Sequence, residues 1–247
     1  MVENALRLVD ENGTPLRRLS DVTVSSQIMD RVRSALFKGR LQPGDYLGSE
    51  KEVAAEFGVS RMAARDALRA LSAKGVVDIR VGAGGGIRVA ASDPEHFGDA
   101  LSIQVALSGA TNVEVLEAQL GIEERAAELA AGNRTLDDVT RMHRLIEAAE
   151  AARDDALEFL RLGWDFHLAV AEASHNRVLI IQLKALGHVA WSTRRSAQVQ
   201  GVSDRVLAIH RDIAAAIEAG DATRAKAIMR LHLDHMREGE TLRDTCC

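Results

Sequence analysis

The fold of this chain is decided by Ser60–Leu71, a stretch that reads SRMAARDALRAL. Ser60 is a favoured helix N-cap, and most of the residues after it are strong helix formers. Apolar residues recur at helical spacing and therefore share one inward face: Ala64, Leu68 and Leu71. Arginines recur one turn apart on another face: Arg61, Arg65 and Arg69. The stretch therefore predicts a short helix with an apolar side and a basic side.

The residues before this stretch predict a second short helix. Ser49 and Glu52 have the spacing of a capping box, and an apolar side that includes Phe57 follows them. Gly58 then begins a tight turn into Ser60. Three arginines on one helix are usually a solvated face, but two short helices joined by a glycine-containing turn are typical of a helix-turn-helix. Arginines on its second helix can fork onto guanine edges or hold phosphates in a DNA major groove.

A β-hairpin is predicted after the basic helix. Residues 76–81 and 87–89 are rich in β-branched side chains, and the glycine-rich segment 82–86 separates them. This segment lacks the Lys-Ser/Thr of a phosphate-binding P-loop and joins two strands instead. A hairpin that follows a helix-turn-helix is a wing, and its glycines allow a close approach to the DNA backbone or minor groove. Arg80 and Arg88 are expected near phosphates.

Composition limits the function classes. The 247 residues carry a net charge of −5, to which residues 1–91 contribute +3 and residues 92–247 contribute −8. This charge asymmetry predicts that nucleic-acid contact is confined to the N-terminal part of the chain. No apolar run is long enough to span a membrane and no signal peptide opens the chain, so a cytoplasmic protein with no membrane partner is expected. The adjacent Cys246 and Cys247 predict a solvated tail rather than a disulfide framework or a zinc knuckle.

The residues beyond the hairpin predict a helical bundle. Thr111 and Thr135 have the sequence pattern of helix starts, and Gly132 and Gly220 that of helix stops. Seven helices are predicted: 95–108, 112–131, 135–152, 155–174, 177–197, 203–219 and 221–239. The predicted fold class is therefore mainly α, with an N-terminal winged helix-turn-helix, a small β-hairpin wing and a C-terminal all-α bundle.

Five parts of the chain follow from these patterns. We predict a flexible N-terminal arm over 1–20, the winged helix-turn-helix domain over 21–91 and a linker over 92–94. A helical domain is predicted over 95–240, and a C-terminal tail over 241–247.

Three of the eight histidines are candidate metal ligands. His167 lies in the middle of a predicted helix, and His210 and His232 lie in the last two. Imidazoles from three helices of one bundle can converge on a divalent cation. The spacing alone leaves the ordinary alternative open, in which each histidine is a surface residue or a satisfied core residue.

Residues 24–90 resemble the winged-helix domain of the GntR family of bacterial transcription regulators. The resemblance rests on the motifs GRLQPG at 39–44, LGSEKEVA at 47–54, FGVSR at 57–61, RDAL at 65–68 and GVV at 75–77. It implies that Lys51, Ser60, Arg61 and Arg65 contact DNA together with the wing around Gly82. Two departures are Gly48 in place of the usual proline and Asp66 in place of the usual glutamate. Lys51 stands where arginine is frequent, so a compact ammonium charge replaces a guanidinium that could form two parallel hydrogen bonds.

Residues 95–240 resemble the FCD effector domain of the FadR-type subfamily, which implies that this domain binds an effector and forms the dimer. The resemblance rests on Glu117, Glu123, the alanine-rich segment 126–131, Phe166 with His167, ASHN at 173–176, and the segments 210–221 and 225–233. In many members an aspartate and three histidines hold zinc or nickel beside a small carboxylate effector. His167, His210 and His232 match the three histidine positions.

Two positions depart from the FCD pattern. The usual aspartate ligand stands one turn before the first histidine, where this chain has Gly163, and Asp165 is expected to point elsewhere. Water, a ligand carboxylate, Glu123 or Glu124 would have to complete the metal site. Gln119 replaces an arginine that often helps to hold the effector's carboxylate, which indicates an altered or less anionic effector. The candidate effector-binding residues are Gln119, Glu123, Asn176 and Arg194, with Arg195 beside the last of them.

We therefore expect a DNA-binding transcriptional repressor rather than an enzyme. It would act as a homodimer on a near-palindromic operator in the nucleoid and respond to a carboxylate metabolite, beside one divalent metal. One alternative is a metal-free regulator whose histidines line an apolar or acyl pocket. A second alternative is a metal-dependent enzyme in which the three histidines hold an ion that activates water. Against the enzyme hypothesis, the sequence shows no evident general base, and the N-terminal winged helix-turn-helix domain would have no role.

Overall fold

A computed structural model describes residues 24–82, 84–193 and 203–244. The chain divides into two compact units, and the boundary falls between Asp93 and Pro94. Three predictions lie outside the described residues: the flexible arm over 1–20, the charged pair Arg194 and Arg195, and the cysteines at the end of the tail.

Within residues 24–82 and 84–93, the first unit has three helices and a small antiparallel sheet. Its elements are α1 (Val24–Phe37), β1 (Tyr46–Gly48), α2 (Glu50–Phe57), α3 (Arg61–Ala73), β2 (Val77–Arg80) and β3 (Gly86–Val89). The strand order is β1-β3-β2, with Ile79 opposite Ile87 and Tyr46 opposite Arg88. The sequence analysis missed β1, which has three residues and an irregular register against β3. The predicted helix-turn-helix and hairpin are both present.

Local signals determine where α2 and α3 begin. The Ser49 hydroxyl accepts a hydrogen bond from the Glu52 amide, and the Glu52 carboxylate accepts one from the Ser49 amide, which completes the predicted capping box. Gly58 ends α2 in the left-handed conformation at φ 64°. Ser60 then caps α3, and its hydroxyl accepts a hydrogen bond from the Ala63 amide at 3.1 Å.

The apolar sides of these helices form the core of the first unit. α1 contributes Ile28 and Val32, and the hairpin contributes Val77 and Ile87. The predicted inward face of α3 is buried, at Ala64, Leu68 and Leu71. Because this face is fully used for packing, the opposite face of α3 is held toward solvent.

The wing depends on glycine for steric reasons. A Cβ atom at position 85 would lie 2.4 Å from the Arg80 carbonyl oxygen. Gly86 has φ 131°, and a Cβ there would lie 2.4 Å from the Tyr46 ring. At position 85 the contact is with the backbone, and at position 86 the positive φ also favours glycine, so both glycines suit the backbone of the wing.

The second unit is a bundle of helices. Its helices are α4 (Pro94–Ser108), α5 (Asn112–Asn133), α6 (Leu136–Ala151), α7 (Ala156–Ala173), α8 (Arg177–Thr193), α9 (Ser203–Ala219) and α10 (Ala222–Asp244). The predicted starts at Thr111 and Thr135 are both capping boxes. Gly220 follows α9 at φ 76°. The fold class predicted from the sequence is confirmed.

Alanines allow close packing at the centre of this bundle. Ala126, Ala127, Ala130 and Ala131 of α5 are all fully buried, and α5 packs against α7, α8, α9 and α10. Gly132 does not end α5 as predicted, because the helix continues to Asn133. The Asn133 side chain donates to the Ser174 carbonyl, so a contact with another part of the bundle holds this end of α5.

Within the described part of the chain, every helix is too short or too polar to cross a lipid bilayer.

Candidate nucleic-acid interface and candidate metal centre

The basic face of α3 is exposed as predicted. Arg61, Arg65 and Arg69 all lie on the solvent side of the helix, opposite its buried apolar residues. The Arg65 guanidinium donates to the sulfur of Met62 at 3.8 Å, within the first two turns of the helix. Exposed arginines along the second helix of a helix-turn-helix can reach the base edges when that helix lies in a DNA major groove.

Three further residues of the predicted interface have different surroundings. Lys51 is exposed on α2 and Arg80 is exposed at the end of β2, and both are therefore accessible to a phosphate. Arg88 donates to the Gly44 carbonyl at 3.0 Å and lies over the Tyr46 ring at 5.2 Å. Since these contacts hold its guanidinium against the domain, Arg88 braces the wing, and we do not retain it as a primary phosphate contact.

The wing tip carries an apolar residue that the sequence analysis did not single out. Val81 is 98% exposed, next to Gly82 at φ 109°. Met62 on α3 is 64% exposed and was also missed. Apolar side chains among arginines on an exposed surface can contact thymine methyl groups or the minor groove. Both could have been noticed from the sequence, because Met62 lies near the start of the basic helix and Val81 lies next to the glycine-rich turn.

A Ser60→Ala variant should lower the free energy of unfolding of the first unit by about 1 kcal/mol, because the α3 cap is lost. Urea unfolding followed by circular dichroism measures this change. Ser60→Asp is the matched control, since aspartate also caps but carries a charge that DNA phosphates repel. The control should keep the stability and weaken DNA binding. Equal destabilisation by both variants would contradict the capping role.

The three candidate histidines converge in the second unit. His167 comes from α7, His210 from α9 and His232 from α10, and all three are buried. Nε2 of His232 lies 3.2 Å from Nε2 of His167 and 3.4 Å from Nε2 of His210. One ring nitrogen from each histidine lies within 4.8 Å of the other two. We call these residues the histidine triad.

The donor set and spacing of the histidine triad fit a divalent metal. Nitrogen ligands at about 2.0–2.1 Å in tetrahedral geometry are separated from each other by about 3.3 Å. The two Nε2 separations of 3.2 and 3.4 Å agree with that value. Imidazole nitrogen is a favoured ligand of zinc and nickel. The histidine triad could therefore hold such an ion through three nitrogen atoms.

Burial keeps His210 in the form that binds metal. The pKa of His210 lies well below its usual range, first because burial penalises the charged ring and then because His167 and His232 would repel its charge. The ring also stacks on Phe166, with centroids 4.2 Å apart. Neutral imidazole is the metal-binding form of histidine, so His210 needs to lose no proton first.

A buried carboxylate lies behind one member of the triad. Nδ1 of His167 donates a hydrogen bond to Oε2 of Glu123, and the Gln119 amide donates to Oε1. Glu123 and Gln119 are both fully buried on α5. Of the two candidate effector residues on α5, Glu123 therefore lies against the triad and Gln119 lies against Glu123.

The other carboxylates considered for the metal site point away from it. Asp165 pairs with Arg161 at 2.6 Å on the exposed side of α7, as its helical position predicted. Glu124 pairs with Lys226 at 3.4 Å and with Arg230 at 3.2 Å. Neither is available as a ligand in this arrangement.

Two of the remaining candidate positions, Gly163 and Asn176, also have defined surroundings. A Cβ atom at Gly163 would lie 3.9 Å from Cε1 of His210, with no other neighbour within 4 Å, so the missing aspartate position does face the triad. Asn176 accepts hydrogen bonds from the amides of Val178 and Leu179, which makes it the cap of α8. We therefore do not include Asn176 in the effector site. Arg194 lies outside the described residues.

Both units match known protein families. Residues 24–88 match the family described as "Bacterial regulatory proteins, gntR family", and residues 114–235 match the family described as "FCD domain". A protein of Escherichia coli K12 assigned as the regulatory protein of the L-lactate dehydrogenase operon is 32% identical over 224 residues, which cover 88% of this chain and 84% of the relative. This chain belongs to the GntR family.

Further comparisons agree with this membership. The HTH-type transcriptional repressor NanR of Klebsiella aerogenes is 29% identical over 81% of this chain and 76% of its own length. A solved structure of a GntR protein from Streptococcus agalactiae has the same fold, with a TM-score of 0.65 at 22% identity over 87% of this chain and 99% of that chain. The GntR and FCD resemblances predicted from the sequence are thus confirmed.

The family assigns a role to each unit of the chain. The GntR unit is a DNA-binding head and the FCD unit binds effector metabolites, so the chain is an effector-responsive transcriptional regulator. The prediction that it is a regulator rather than an enzyme is confirmed by these relatives.

Proposed function

We propose that this GntR-family chain is a repressor whose operator affinity is controlled by a small carboxylate effector bound beside a divalent metal. The metal ligands in this proposal are His167, His210 and His232. The proposed effector-binding residue on α5 is Gln119, with Arg194 supplying positive charge. The protein acts in the cytoplasm on nucleoid DNA.

The metal part of the proposal rests on one observation. One ring nitrogen from each of the three histidines converges on a common position inside the FCD unit. Three neutral imidazole nitrogens at these separations can share one divalent cation, for which imidazole is a favoured ligand. A bound divalent cation supplies the positive charge that a carboxylate effector needs. This charge takes over part of the role of the arginine that Gln119 replaces.

The repressor and carboxylate parts rest on the relatives. One relative is named a repressor, and another is assigned to the L-lactate dehydrogenase operon. L-lactate has a carboxylate and an adjacent hydroxyl, which together chelate a divalent cation well. We therefore propose a small hydroxycarboxylate as the effector class.

DNA binding in this proposal uses two copies of the chain. Lys51, Arg61, Arg65, Arg69 and Arg80 of each copy contact one half-site, and the wing around Gly82 contacts the adjacent backbone or minor groove. A two-fold dimer then requires a near-palindromic operator. The effector changes operator affinity only as far as it binds the two states of the dimer with different affinity.

The proposal is tested with an operator selected from random duplex DNA by the full-length protein. Addition of L-lactate or a similar hydroxycarboxylate to zinc-loaded protein should release the operator in an anisotropy titration. Removal of zinc with a chelator should abolish the response. The metal-free alternative predicts an unchanged response after chelation, together with a co-purified apolar or acyl ligand in the mass spectrum. Failure to select any preferred sequence would contradict the operator-binding part.

A further inference from the structure

We infer that Glu123 is a positioning residue for the proposed metal, which it serves through His167 rather than as a ligand. This inference rests on the proposed metal site of the histidine triad. It gives the carboxylate a different task from the effector contact that the sequence suggested.

Glu123 stands apart from the other acidic residues of the bundle. It is 1% exposed, and within 24–82, 84–193 and 203–238 no other carboxylate is fully buried. A buried carboxylate is costly unless it is well hydrogen-bonded, so its position requires compensation. Both of its oxygens are engaged, one by the Gln119 amide and one by Nδ1 of His167.

The direction of the second hydrogen bond fixes the tautomer of His167. A carboxylate only accepts hydrogen bonds, so Nδ1 of His167 carries the proton. Nε2 is then the nitrogen with the free lone pair, and it is Nε2 that lies 3.2 Å from Nε2 of His232. A carboxylate behind a histidine orients the ring and increases the basicity of the nitrogen that binds the metal.

The same geometry accounts for the glycine at position 163. The flank of His210 near Gly163 is open, and the carboxylates of Asp165 and Glu124 are held in ion pairs with Arg161 and Lys226. The one buried carboxylate therefore lies behind an imidazole instead of in the ligand set. Its charge still reduces the net positive charge of a loaded site, and the amide of Gln119 keeps the carboxylate oriented without neutralising it.

The test measures the zinc affinity of full-length Glu123→Gln by competition with a chromophoric chelator. Loss of an outer carboxylate of this kind weakens metal binding by about 10–100-fold. We expect a loss in that range, with an altered absorption spectrum of the cobalt-loaded protein because the His167 ring is no longer held. Glu124→Gln is the matched control, since it removes the neighbouring carboxylate, which pairs with Lys226 and Arg230 instead of the triad, and it should leave zinc affinity unchanged.

Other outcomes separate this inference from the proposed function. Unchanged zinc affinity and an unchanged cobalt spectrum in Glu123→Gln would overturn the inference while leaving the metal site intact. Absence of zinc binding in the unaltered protein would overturn both the metal site and the inference.

A second measurement needs no variant. Nitrogen NMR of the histidine rings in zinc-loaded protein should show His167 with a protonated Nδ1 and a metal-bound Nε2. Metal on Nδ1 of His167 would overturn the inference even if Glu123→Gln failed to fold.

Discussion

Arg65→Ala is expected to reduce the affinity for a selected operator by about 10–100-fold for each half-site, since an arginine that forks onto a base edge contributes about 1–3 kcal/mol. The reason lies in the position of Arg65 on the exposed face of α3, one turn after Arg61. Its removal leaves the buried face of the helix unchanged, so the domain should stay folded. Fluorescence anisotropy with labelled operator measures the loss, and circular dichroism checks the fold.

Arg144→Ala provides the matched control for this prediction. Arg144 is an exposed arginine on α6 of the second unit, so the variant changes the net charge equally but leaves α3 intact. Its operator affinity should stay close to that of the unaltered protein. Equal losses in both variants would indicate a general charge effect and would contradict the groove assignment of α3.

The salt dependence of Arg65→Ala tells a base contact from a phosphate contact. Each lost phosphate contact reduces the slope of log affinity against log salt concentration by about 1. If Arg65 contacts a base, the slope should stay the same while discrimination at one base pair is relaxed. A reduced slope with unchanged discrimination would assign Arg65 to the backbone instead.

His210→Gln is expected to lower zinc affinity by on the order of 100-fold or more, because one of three nitrogen ligands is lost from a site whose binding energy is shared among few ligands. His210 is 2% exposed and stacked on Phe166, so glutamine is preferred to alanine as a replacement of similar volume. Elemental analysis and chelator competition measure the change. The increase in melting temperature that zinc gives the unaltered protein should disappear as well.

His143→Gln is the control for the loss of a histidine. His143 lies on the exposed side of α6 and pairs with Glu218 at 3.1 Å. Its replacement should leave both the zinc content and the zinc-dependent melting temperature unchanged. Stoichiometric zinc in purified His210→Gln, held as tightly as in the unaltered protein, would remove the histidine triad as the metal site.

The parts of the fold that local chemistry determines were predictable from the sequence. The capping boxes at Ser49, Thr111 and Thr135 involve residues three positions apart, so the pattern and its structural cause lie in one short segment. The inward and outward faces of α3 follow from helical spacing alone. The exposed position of Arg65 was predicted for this reason.

The remaining features depend on contacts between distant segments. The strand β1 forms only because Tyr46 meets Arg88 across the sheet, and no periodicity in three residues could indicate it. The end of α5 is held by Asn133 and its bond to Ser174, which overrides the stop signal of Gly132. Likewise, nothing local to Glu123 shows that it faces His167, 44 positions further along the chain.

The brace formed by Arg88 has a consequence for the thermodynamics of docking. The guanidinium is already fixed on the Gly44 carbonyl and over the Tyr46 ring when the protein is alone. Ordering a long side chain upon association costs about 0.5–1.5 kcal/mol, and a side chain that is ordered beforehand avoids this cost. The base of the hairpin therefore docks as a rigid part, because the side chain that lies across it is already ordered before the domain meets DNA.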